Sequence, residues 1–432
     1  MRVGVLGGGL CGLAVAGYSR HDCEVLEADS RPGGHCQSLV QDGYTFDVGG
    51  PHILFSRNQE VLKLMLDLLG DNIETCRRNS KIFYKGRYVK YPFENGLYDL
   101  APEDRFACLY HYVVNDYPAP TNFKEWIYHT FGKGIAEAYM LPYNEKIWNV
   151  TADQMSMDWV EGRVPRPPVE DVIKSAVGVE TEGYTHQLNF QYPRSGGIEC
   201  VPRAFARKCR KIVCDFHVSK VWREKDEWCV GDGKTVKRYD RLVTTIPIDN
   251  LLSALPGVPR HVLDACAALR FNSIITVMLG VARQDLPMFS SMYVPDREYL
   301  FHRLSWPNTF TPEGAPQGCT AIMAEITTNA GDGVHELSDE ALYAHCIEGL
   351  TKMGMVDADA IRFKAIHRTK FAYVVRTFDY ATHLKTVLDY VSSLGIVSVG
   401  RNAEFEYINM DEAVRRSLEV VKRIDREWPI AG

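Results

Sequence analysis

The first 30 residues, MRVGVLGGGLCGLAVAGYSRHDCEVLEADS (1–30), predict the fold of this chain. They read as an apolar strand, a glycine-rich turn, a helix and a second strand that ends at Glu27. Gly7, Gly9 and Gly12 form the pattern GxGxxG between the first strand and the helix. In this setting the glycines permit a tight turn, let a pyrophosphate approach the backbone and let helix and strand pack closely. We therefore predict a βαβ dinucleotide-binding unit.

The stretch EADSRPGGHC (27–36) indicates which dinucleotide is bound. Glu27 lies 20 residues after Gly7, where a carboxylate can hold a ribose hydroxyl. The R-x-G-G segment that follows resembles the one that wraps the cofactor in FAD enzymes of the glutathione-reductase type. We therefore expect FAD. The contacts expected from this unit come from Gly7, Gly9, Leu10, Cys11, Gly12, Glu27, Ala28, Gly34, His35 and Cys36.

Composition limits the possible partners. The 432 residues are 46% hydrophobic and 24% charged, as in an ordinary globular protein. A formal net charge of -6 argues against nucleic acid and anionic membranes as general partners. The 12 cysteines form no CxxC pair, and neither the cysteines nor the 13 histidines show a metal-binding spacing. Without a visible secretory signal or a run of about 18 apolar residues, we expect a cytoplasmic protein with no metal and no membrane insertion.

The remaining chain predicts an α/β fold in three parts. A Rossmann-like FAD-binding domain is interrupted by a mainly helical, aromatic-rich insertion and by a strand-rich substrate domain with an antiparallel sheet. The expected boundaries are 1–95, 190–250 and 385–432 for the discontinuous FAD-binding domain, 96–189 for the helical domain and 251–384 for the substrate domain.

Segments far from the first unit resemble the returning part of the FAD domain in amine-oxidase-like proteins. These are YPRSGGIECVPRAFARK (192–208), FHVSKVWREKDEWCV (216–230) and RYDRLVTTIPI (238–248). The resemblance implies that Val218 meets the adenine half of FAD. It also implies that the chain returns to the cofactor at Pro247.

A narrower resemblance is carried by five motifs in order along the chain. They are GGPHILFSRNQEVL (49–62), NSKIFYKGRYVKYPF (79–93), YNEKIW (143–148), GRVPR (162–166) and VGRNAEFEYINMDEAV (399–414). Together they resemble the UDP-galactopyranose mutase family. The match runs from Met1 to about Val414 and is weakest over 250–375.

This resemblance implies a nucleotide-sugar mutase that interconverts the pyranose and furanose rings of an NDP-hexose similar to UDP-galactose. In the family, N5 of the reduced flavin is the nucleophile at the anomeric carbon, and no net redox occurs. NAD(P)H or another reductant would then be needed for activation. The expected partner is the nucleotide sugar, and the resemblance is compatible with a homodimer.

The resemblance also assigns roles to single residues. The flavin would be contacted by Gly50, Pro51, His52, Val218, Arg401, Asn409 and Met410. The catalytic residues would be His52, Arg166 and Arg303, and the substrate would be bound by Trp148, Arg166, Arg303, Tyr373 and Tyr407. The two arginines would hold the leaving diphosphate. Two departures from the family stand out: Asn409 occupies a usually acidic position, and an aromatic residue expected within 320–330 is absent.

Two other functions compete with the mutase. One is an FAD-dependent oxidoreductase of the amine-oxidase or protoporphyrinogen-oxidase type, which would consume an electron acceptor and whose pocket would be more apolar. The other is a flavin-binding protein without catalysis. The Pro-His pair after Gly50, the YNEKIW motif and the paired arginines favour the mutase.

Overall fold

The computed structural model describes residues 1–161, 163, 164, 166–181 and 188–428. The strands are β1 (Arg2–Leu6), β2 (Asp22–Leu26), β3 (Ser38–Gln41), β4 (Tyr44–Asp47), β5 (Glu74–Arg77), β6 (Ser80–Tyr84), β7 (Arg87–Lys90), β8 (Asn189–Tyr192), β9 (Lys211–Val213), β10 (Lys220–Glu224), β11 (Glu227–Gly231), β12 (Val236–Tyr239), β13 (Arg241–Thr244), β14 (Arg270–Val281), β15 (Ser291–Tyr293), β16 (Arg303–Ser305), β17 (Thr320–Thr328), β18 (Ile361–Val375) and β19 (Val397–Ser398). The helices are α1 (Leu10–Tyr18), α2 (Gln59–Leu69), α3 (Pro102–Val113), α4 (Phe123–Ile135), α5 (Leu141–Trp148), α6 (Val169–Ala176), α7 (Cys200–Ala206), α8 (Ile248–Ala254), α9 (Arg260–Ala268), α10 (Asp339–Lys352), α11 (Tyr380–Ser393) and α12 (Met410–Glu427).

A parallel sheet in the order β19-β13-β1-β2-β9 forms the nucleotide-binding half of the molecule. The central strand β1 pairs in parallel with β2 and β13, and its Val3, Val5 and Leu6 are fully buried. Helix α1 is apolar around most of its circumference because it lies between this sheet and helices α7 and α12. The predicted βαβ unit and the α/β fold class are confirmed.

The second sheet has the order β18-β14-β17-β16-β15-β6-β7 and is antiparallel except for the parallel pair β15–β6. Its long strands β14 and β17 are almost wholly buried, since both faces of the sheet are covered. The β6–β7 hairpin was expected to belong to the FAD-binding segment 1–95. It joins this second sheet instead, because β6 pairs with Ser291–Tyr293 more than 200 residues later.

Helices α3 to α6 pack into an aromatic layer against the second sheet. Their shared core contains Phe93, Phe123, Trp126, Phe131 and Tyr139. The same core reaches Ile274 on β14 and Tyr373 on β18. The helical segment is thereby held over the end of the sheet, where Trp148 is the last residue of α5.

None of the helices in the described ranges is long and apolar enough to cross a membrane. A search of the same residues finds no group of three or more His, Cys, Asp or Glu side chains suited to a metal ion.

Candidate flavin cleft and active site

The β1–α1 turn has the geometry of a pyrophosphate cradle. Gly7 adopts φ +98°, and a Cβ on Gly12 would lie 2.0 Å from the Gly7 carbonyl oxygen. A Cβ on Gly9, in contrast, would meet no atom within 4 Å. No side chain caps the N-terminus of α1. The positive end of the helix therefore faces an open space that a phosphate can enter, and the residues fit FAD at this position.

The carboxylate of Glu27 is held at the end of β2. It is buried and accepts the N–H groups of Gly8 at 2.7 Å and Asp29 at 2.9 Å. Burial raises its pKa above the ordinary glutamate value. Each carboxylate oxygen retains accepting capacity for a ribose hydroxyl. Ala28, the next residue, is exposed.

Val218 lies close to this ribose position. The Phe216 N–H donates to the Glu27 carbonyl at 2.8 Å, and Val218 follows two residues later with a half-buried side chain. The adenine contact of Val218 stays a prediction from the sequence.

The R-x-G-G segment lies directly on the glycine turn. The Gly33 N–H donates to the Gly8 carbonyl at 2.9 Å, and Gly33 forms a parallel bridge with Gly9. Gly33 and Gly34 both have positive φ, which side chains rarely tolerate. Arg31 donates to the Ser38 carbonyl at 3.0 Å and so ties the segment to the first residue of β3.

Three predicted cofactor contacts next to the turn are uncharged. Burial raises the pKa of Cys11 to about 11 and that of Cys36 to about 12, so both remain thiols at neutral pH. Burial lowers the pKa of His35 to about 3. Its Nε2 is 3.0 Å from the Asn402 side-chain amide, which can donate to it. These groups shape the cleft by packing and hydrogen bonding.

The Gly-Gly-Pro-His loop is packed tightly against its surroundings. A Cβ on Gly49 would lie 2.4 Å from the His35 carbonyl oxygen, and one on Gly50 would lie 2.8 Å from the Glu325 carboxylate. His52 Nδ1 is 2.8 Å from the Gly50 carbonyl and must donate to it, because a carbonyl only accepts. Burial lowers the pKa of His52 to about 4, and nearby Arg401 adds to this effect. His52 is therefore neutral, with its proton on Nδ1.

Asp47 holds the Gly-Gly-Pro-His loop in place through hydrogen bonds of its carboxylate and its backbone carbonyl. Its buried carboxylate accepts the Ser38 hydroxyl at 2.9 Å, the Tyr192 hydroxyl at 2.9 Å and the Ile198 N–H at 3.1 Å. Its carbonyl accepts the Gly50 N–H at 3.2 Å. Burial raises the pKa of this carboxyl to about 6. Asp47 is not among the site residues predicted from the sequence, although an acidic residue at the end of an apolar strand was a signal for it.

Two guanidinium groups lie over one tyrosine ring at the centre of the candidate site. The ring centroid of Tyr407 is 4.6 Å from Arg163 Cζ and 4.4 Å from Arg401 Cζ. Arg163 also donates to the Tyr407 carbonyl, and Arg401 lies 5.6 Å from the Tyr373 ring. Trp148 meets both tyrosine rings edge-on at 6.0 and 6.1 Å. The result is an aromatic wall that carries concentrated positive charge.

Arg303 has a carboxylate partner that sequence reasoning missed. Its guanidinium binds Glu325 through two contacts of 2.6 Å, and the two residues are cross-strand neighbours on β16 and β17. Glu325 is fully buried. The pair orients Arg303 and offsets its charge. The sequence signal for this partner was Glu325 itself, the single acidic residue in the otherwise uncharged run TAIMAEITT (320–328).

The other predicted site residues are distributed around this cluster. Arg166 is exposed and lies 4.8 Å from the ring of Trp126, whereas Arg163 of the same motif reaches Tyr407. Asn409 is the exposed N-cap residue of α12 and makes no side-chain cap. Met410 is buried in the first turn of that helix.

One cleft and one small pocket adjoin the cluster. The cleft has a volume of about 280 Å³ and is lined by Phe55, Ser56, Arg57, Asn58, Arg163, Ile408, Asn409, Asp411, Glu412 and Arg415. The pocket beside Arg401 has a volume of about 10 Å³, room for about one water molecule, and is lined by Pro247, Ile248, Asp249, Phe271, Phe371, Ala372, Tyr373, Val374, Asn402 and Phe405. A ligand larger than water can therefore approach the arginine–tyrosine cluster through the cleft.

Comparison with solved structures supports the same architecture. A reduced UDP-galactopyranose mutase superimposes with a TM-score of 0.88 over 98% of this chain and 93% of that chain, at 24% identity. A candidate protoporphyrinogen oxidase from Exiguobacterium sp. 255-15 superimposes with a TM-score of 0.79 over 99% of both chains, at 19% identity. At these identities the likeness extends to the fold alone.

Sequence comparison establishes the family. A coproporphyrinogen III oxidase of Bacillus subtilis (strain 168) is 20% identical over 399 residues, which are 82% of this chain and 83% of that protein. Residues 12–386 match the family of flavin containing amine oxidoreductases. With the geometry of the glycine turn, this match confirms FAD as the cofactor. The chain therefore belongs to the family of flavin containing amine oxidoreductases.

Proposed function

We propose that this flavoprotein is a nucleotide-sugar mutase that interconverts the pyranose and furanose rings of an NDP-hexose similar to UDP-galactose. The observation that carries the proposal is the pair of guanidinium groups, Arg163 and Arg401, on the ring of Tyr407. The five motifs that resemble the mutase family and the likeness in fold to a reduced UDP-galactopyranose mutase support it.

The arginine pair suits a leaving diphosphate. Guanidinium groups bind phosphate oxygens through paired N–H donors and remain charged at every physiological pH. Arg376, which adds to the positive charge near Arg163, is already bound to Asp158 at 3.1 Å. Arg163 and Arg401 form no ion pair among the described residues, so both can neutralise the charge that develops as the sugar–phosphate bond breaks. The Tyr407 hydroxyl can donate to the same group.

The remaining residues position the sugar and the cofactor. FAD, when bound and reduced, supplies a nucleophilic nitrogen for the anomeric carbon, so that no electrons are consumed overall. His52 holds its proton on Nδ1 toward the Gly50 carbonyl, which leaves Nε2 as an acceptor. Trp148 and Tyr373 form an apolar wall that excludes water, and Arg303 is held in one orientation by Glu325.

An FAD-dependent oxidoreductase is the second candidate. It is favoured by the sequence likeness to a coproporphyrinogen III oxidase over 82% of this chain. The full neutralisation of Arg303 by Glu325 also leaves one cation fewer for a diphosphate. An oxidoreductase would oxidise an organic substrate and pass the electrons to an acceptor.

A panel assay separates the two candidates. The FAD-loaded protein is incubated with UDP-, GDP- and dTDP-hexoses, with and without dithionite, and the products are separated by chromatography. A mutase yields an isomer of unchanged mass only after reduction, and consumes no further reductant. If no sugar isomerises while a porphyrinogen or amine is oxidised under air, the mutase proposal is wrong and the oxidoreductase is supported.

A further inference from the structure

Asp47 is a buried acid that no cation neutralises. It is 2% exposed and forms no ion pair among the residues that the structure describes. Its carboxylate accepts hydrogen bonds from Ser38, Tyr192 and Ile198, which favour the charged form. Burial nevertheless raises its pKa to about 6, so the group is ionised above pH 7. Aspartate is almost never fully buried without a partner of opposite charge, which indicates that this charge has a use.

A second buried acid, Glu199, shares a neighbour with Asp47. Ser38 donates its hydroxyl to Asp47 at 2.9 Å and its N–H to Glu199 at 2.8 Å. Glu199 is also 2% exposed, but its charge is offset by Arg203 at 2.8 Å and Arg31 at 3.4 Å. The two acids are therefore alike in burial and differ in whether a cation pairs with them. This makes Glu199 a matched control for Asp47.

The chain that follows Asp47 is the Gly-Gly-Pro-His loop (49–52), and Asp47 binds this loop at two points. Its carbonyl accepts the Gly50 N–H at 3.2 Å, and its carboxylate lies 3.5 Å from the His52 nitrogen. The loop in turn meets the candidate site, because a Cβ on Gly50 would lie 2.8 Å from the Glu325 carboxylate. The Asp47 charge is thus held directly behind the loop.

The loop borders the part of the cleft that is left for the flavin. Glu27 occupies the ribose position at the glycine turn, and a bound FAD must extend from there past Gly9. Gly34 packs on Gly9, since a Cβ on Gly34 would lie 3.2 Å from the Gly9 Cα. The next residue, His35, meets the loop, because a Cβ on Gly49 would lie 2.4 Å from the His35 carbonyl oxygen. These contacts lead from the pyrophosphate cradle to the loop that Asp47 holds.

We propose that Asp47 is a positioning residue for the flavin: it holds the Gly-Gly-Pro-His loop at the ring, and its negative charge disfavours reduction. Reduction adds two electrons to the bound FAD, which increases the electron density beside a carboxylate that no cation offsets. A buried charge is screened less than a charge in water, and charge near the ring is one means by which a protein tunes a flavin. The proposal requires FAD binding alone and applies to a mutase and to an oxidoreductase.

The test is the two-electron reduction potential of the FAD-loaded protein at pH 8, measured without substrate against a dye of known potential during stepwise reduction with dithionite. We expect Asp47→Asn to shift the reduction equilibrium at least tenfold toward the reduced flavin, which is about 30 mV for two electrons. Glu199→Gln should shift it less than about threefold, because the Glu199 charge is paired with Arg31 and Arg203. Flavin absorbance confirms that each variant is loaded.

Tyr192→Phe is a second variant that decides the proposal even if Asp47→Asn fails to bind FAD. It removes a hydroxyl that donates to Asp47 at 2.9 Å and leaves the carboxylate in place. With one donor fewer the negative charge is less well screened. At pH 8 the equilibrium should therefore move severalfold toward the oxidised flavin, opposite in sign to the effect of Asp47→Asn.

The pH dependence identifies the group responsible. At pH 5 Asp47 is mostly protonated, since its pKa is about 6, and wild type and Asp47→Asn should differ less than about twofold. The other titratable groups around Asp47 do not change charge between pH 5 and 8. Burial keeps Cys36 a thiol, raises the pKa of Tyr192 well above 10 and lowers that of His52 to about 4.

Three results overturn the proposal. One is an Asp47→Asn potential at pH 8 that is no higher than that of Glu199→Gln. Another is a shift in Asp47→Asn that is equally large at pH 5 and pH 8, and the third is a Tyr192→Phe potential equal to that of wild type at pH 8. A shift confined to Asp47→Asn and lost at pH 5 supports the proposal, whichever reaction the protein catalyses.

Discussion

Of the two arginines in the motif GRVPR (162–166), Arg163 is the one whose guanidinium lies over the ring of Tyr407. The resemblance to the mutase family assigned the diphosphate to Arg166, whose guanidinium lies over Trp126. Arg163 lies over Tyr407 beside Arg401. We predict that Arg163→Ala weakens binding of a nucleoside diphosphate by about 10- to 100-fold, since a hydrogen bond to a charged group contributes about 1.5 to 3 kcal/mol. Arg166→Ala should weaken it less than about threefold, because the Arg166 guanidinium lies over Trp126 and not over Tyr407.

Titration calorimetry with UDP measures both variants and does not depend on turnover. Arg163→Lys serves as the matched control, because it keeps the charge and loses the paired donors. The reverse order, with Arg166→Ala more damaging, would restore the assignment made from the resemblance.

At the scale of structural elements, substitutions in the β1–α1 turn can show whether a glycine serves FAD binding or the stability of the fold. Gly9 has φ −71° and ψ 178°, which any residue can adopt, and open space where its Cβ would lie. We predict that Gly9→Ala leaves the unfolding free energy within about 0.5 kcal/mol of wild type. The same change should weaken FAD binding at least tenfold, because the methyl group occupies the path of the pyrophosphate.

Gly12→Ala is the contrasting variant. Its Cβ would lie 2.0 Å from the Gly7 carbonyl oxygen, so α1 must move away from β1. Both the unfolding free energy and FAD binding should fall, the former by about 2 kcal/mol or more. Flavin fluorescence and urea unfolding with and without added FAD measure the two effects. Equal loss of stability in both variants would mean that Gly9 serves packing rather than the cofactor.

For the molecule as a whole, Glu94 is a buried acid outside the candidate site. Burial raises its pKa from 4.5 to about 7, and it forms no ion pair among the described residues. The folded state therefore binds its proton more tightly than the unfolded state. The penalty for burying the ionised carboxylate is absent below pH 4.5, grows with rising pH and is complete above about pH 7.

We predict that Glu94→Gln is more stable than wild type at pH 8 by on the order of 3 kcal/mol, since each pKa unit corresponds to about 1.4 kcal/mol. The difference should shrink to about 1 kcal/mol or less at pH 5. Urea unfolding at both pH values measures it, and Glu103→Gln on the exposed start of α3 should show no such dependence. A Glu94→Gln variant that is less stable at pH 8 would show that the carboxylate is stabilising.

Short-range sequence patterns were sufficient to predict the fold of the nucleotide-binding half. The βαβ unit followed from the spacing of Gly7, Gly9, Gly12 and Glu27, because backbone periodicity over about 20 residues fixes where a strand ends and a helix begins. FAD followed from the resemblance of the neighbouring R-x-G-G segment (31–34) to that of FAD enzymes. Local chemistry also accounts for the turns at Asp42-Gly43 and Lys85-Gly86 and for the Asn58 cap of α2.

The candidate site depends on contacts that no local pattern encodes. Arg163 and Tyr407 are 244 residues apart, and Glu325 meets Arg303 only because β16 and β17 pair in one register. The β6–β7 hairpin likewise joins a sheet formed mostly by later strands. The sequence alone therefore predicted which cofactor binds and on which fold. Which charged groups meet in the candidate site depends on how distant elements pack, since burial and pairing of side chains are properties of the folded chain.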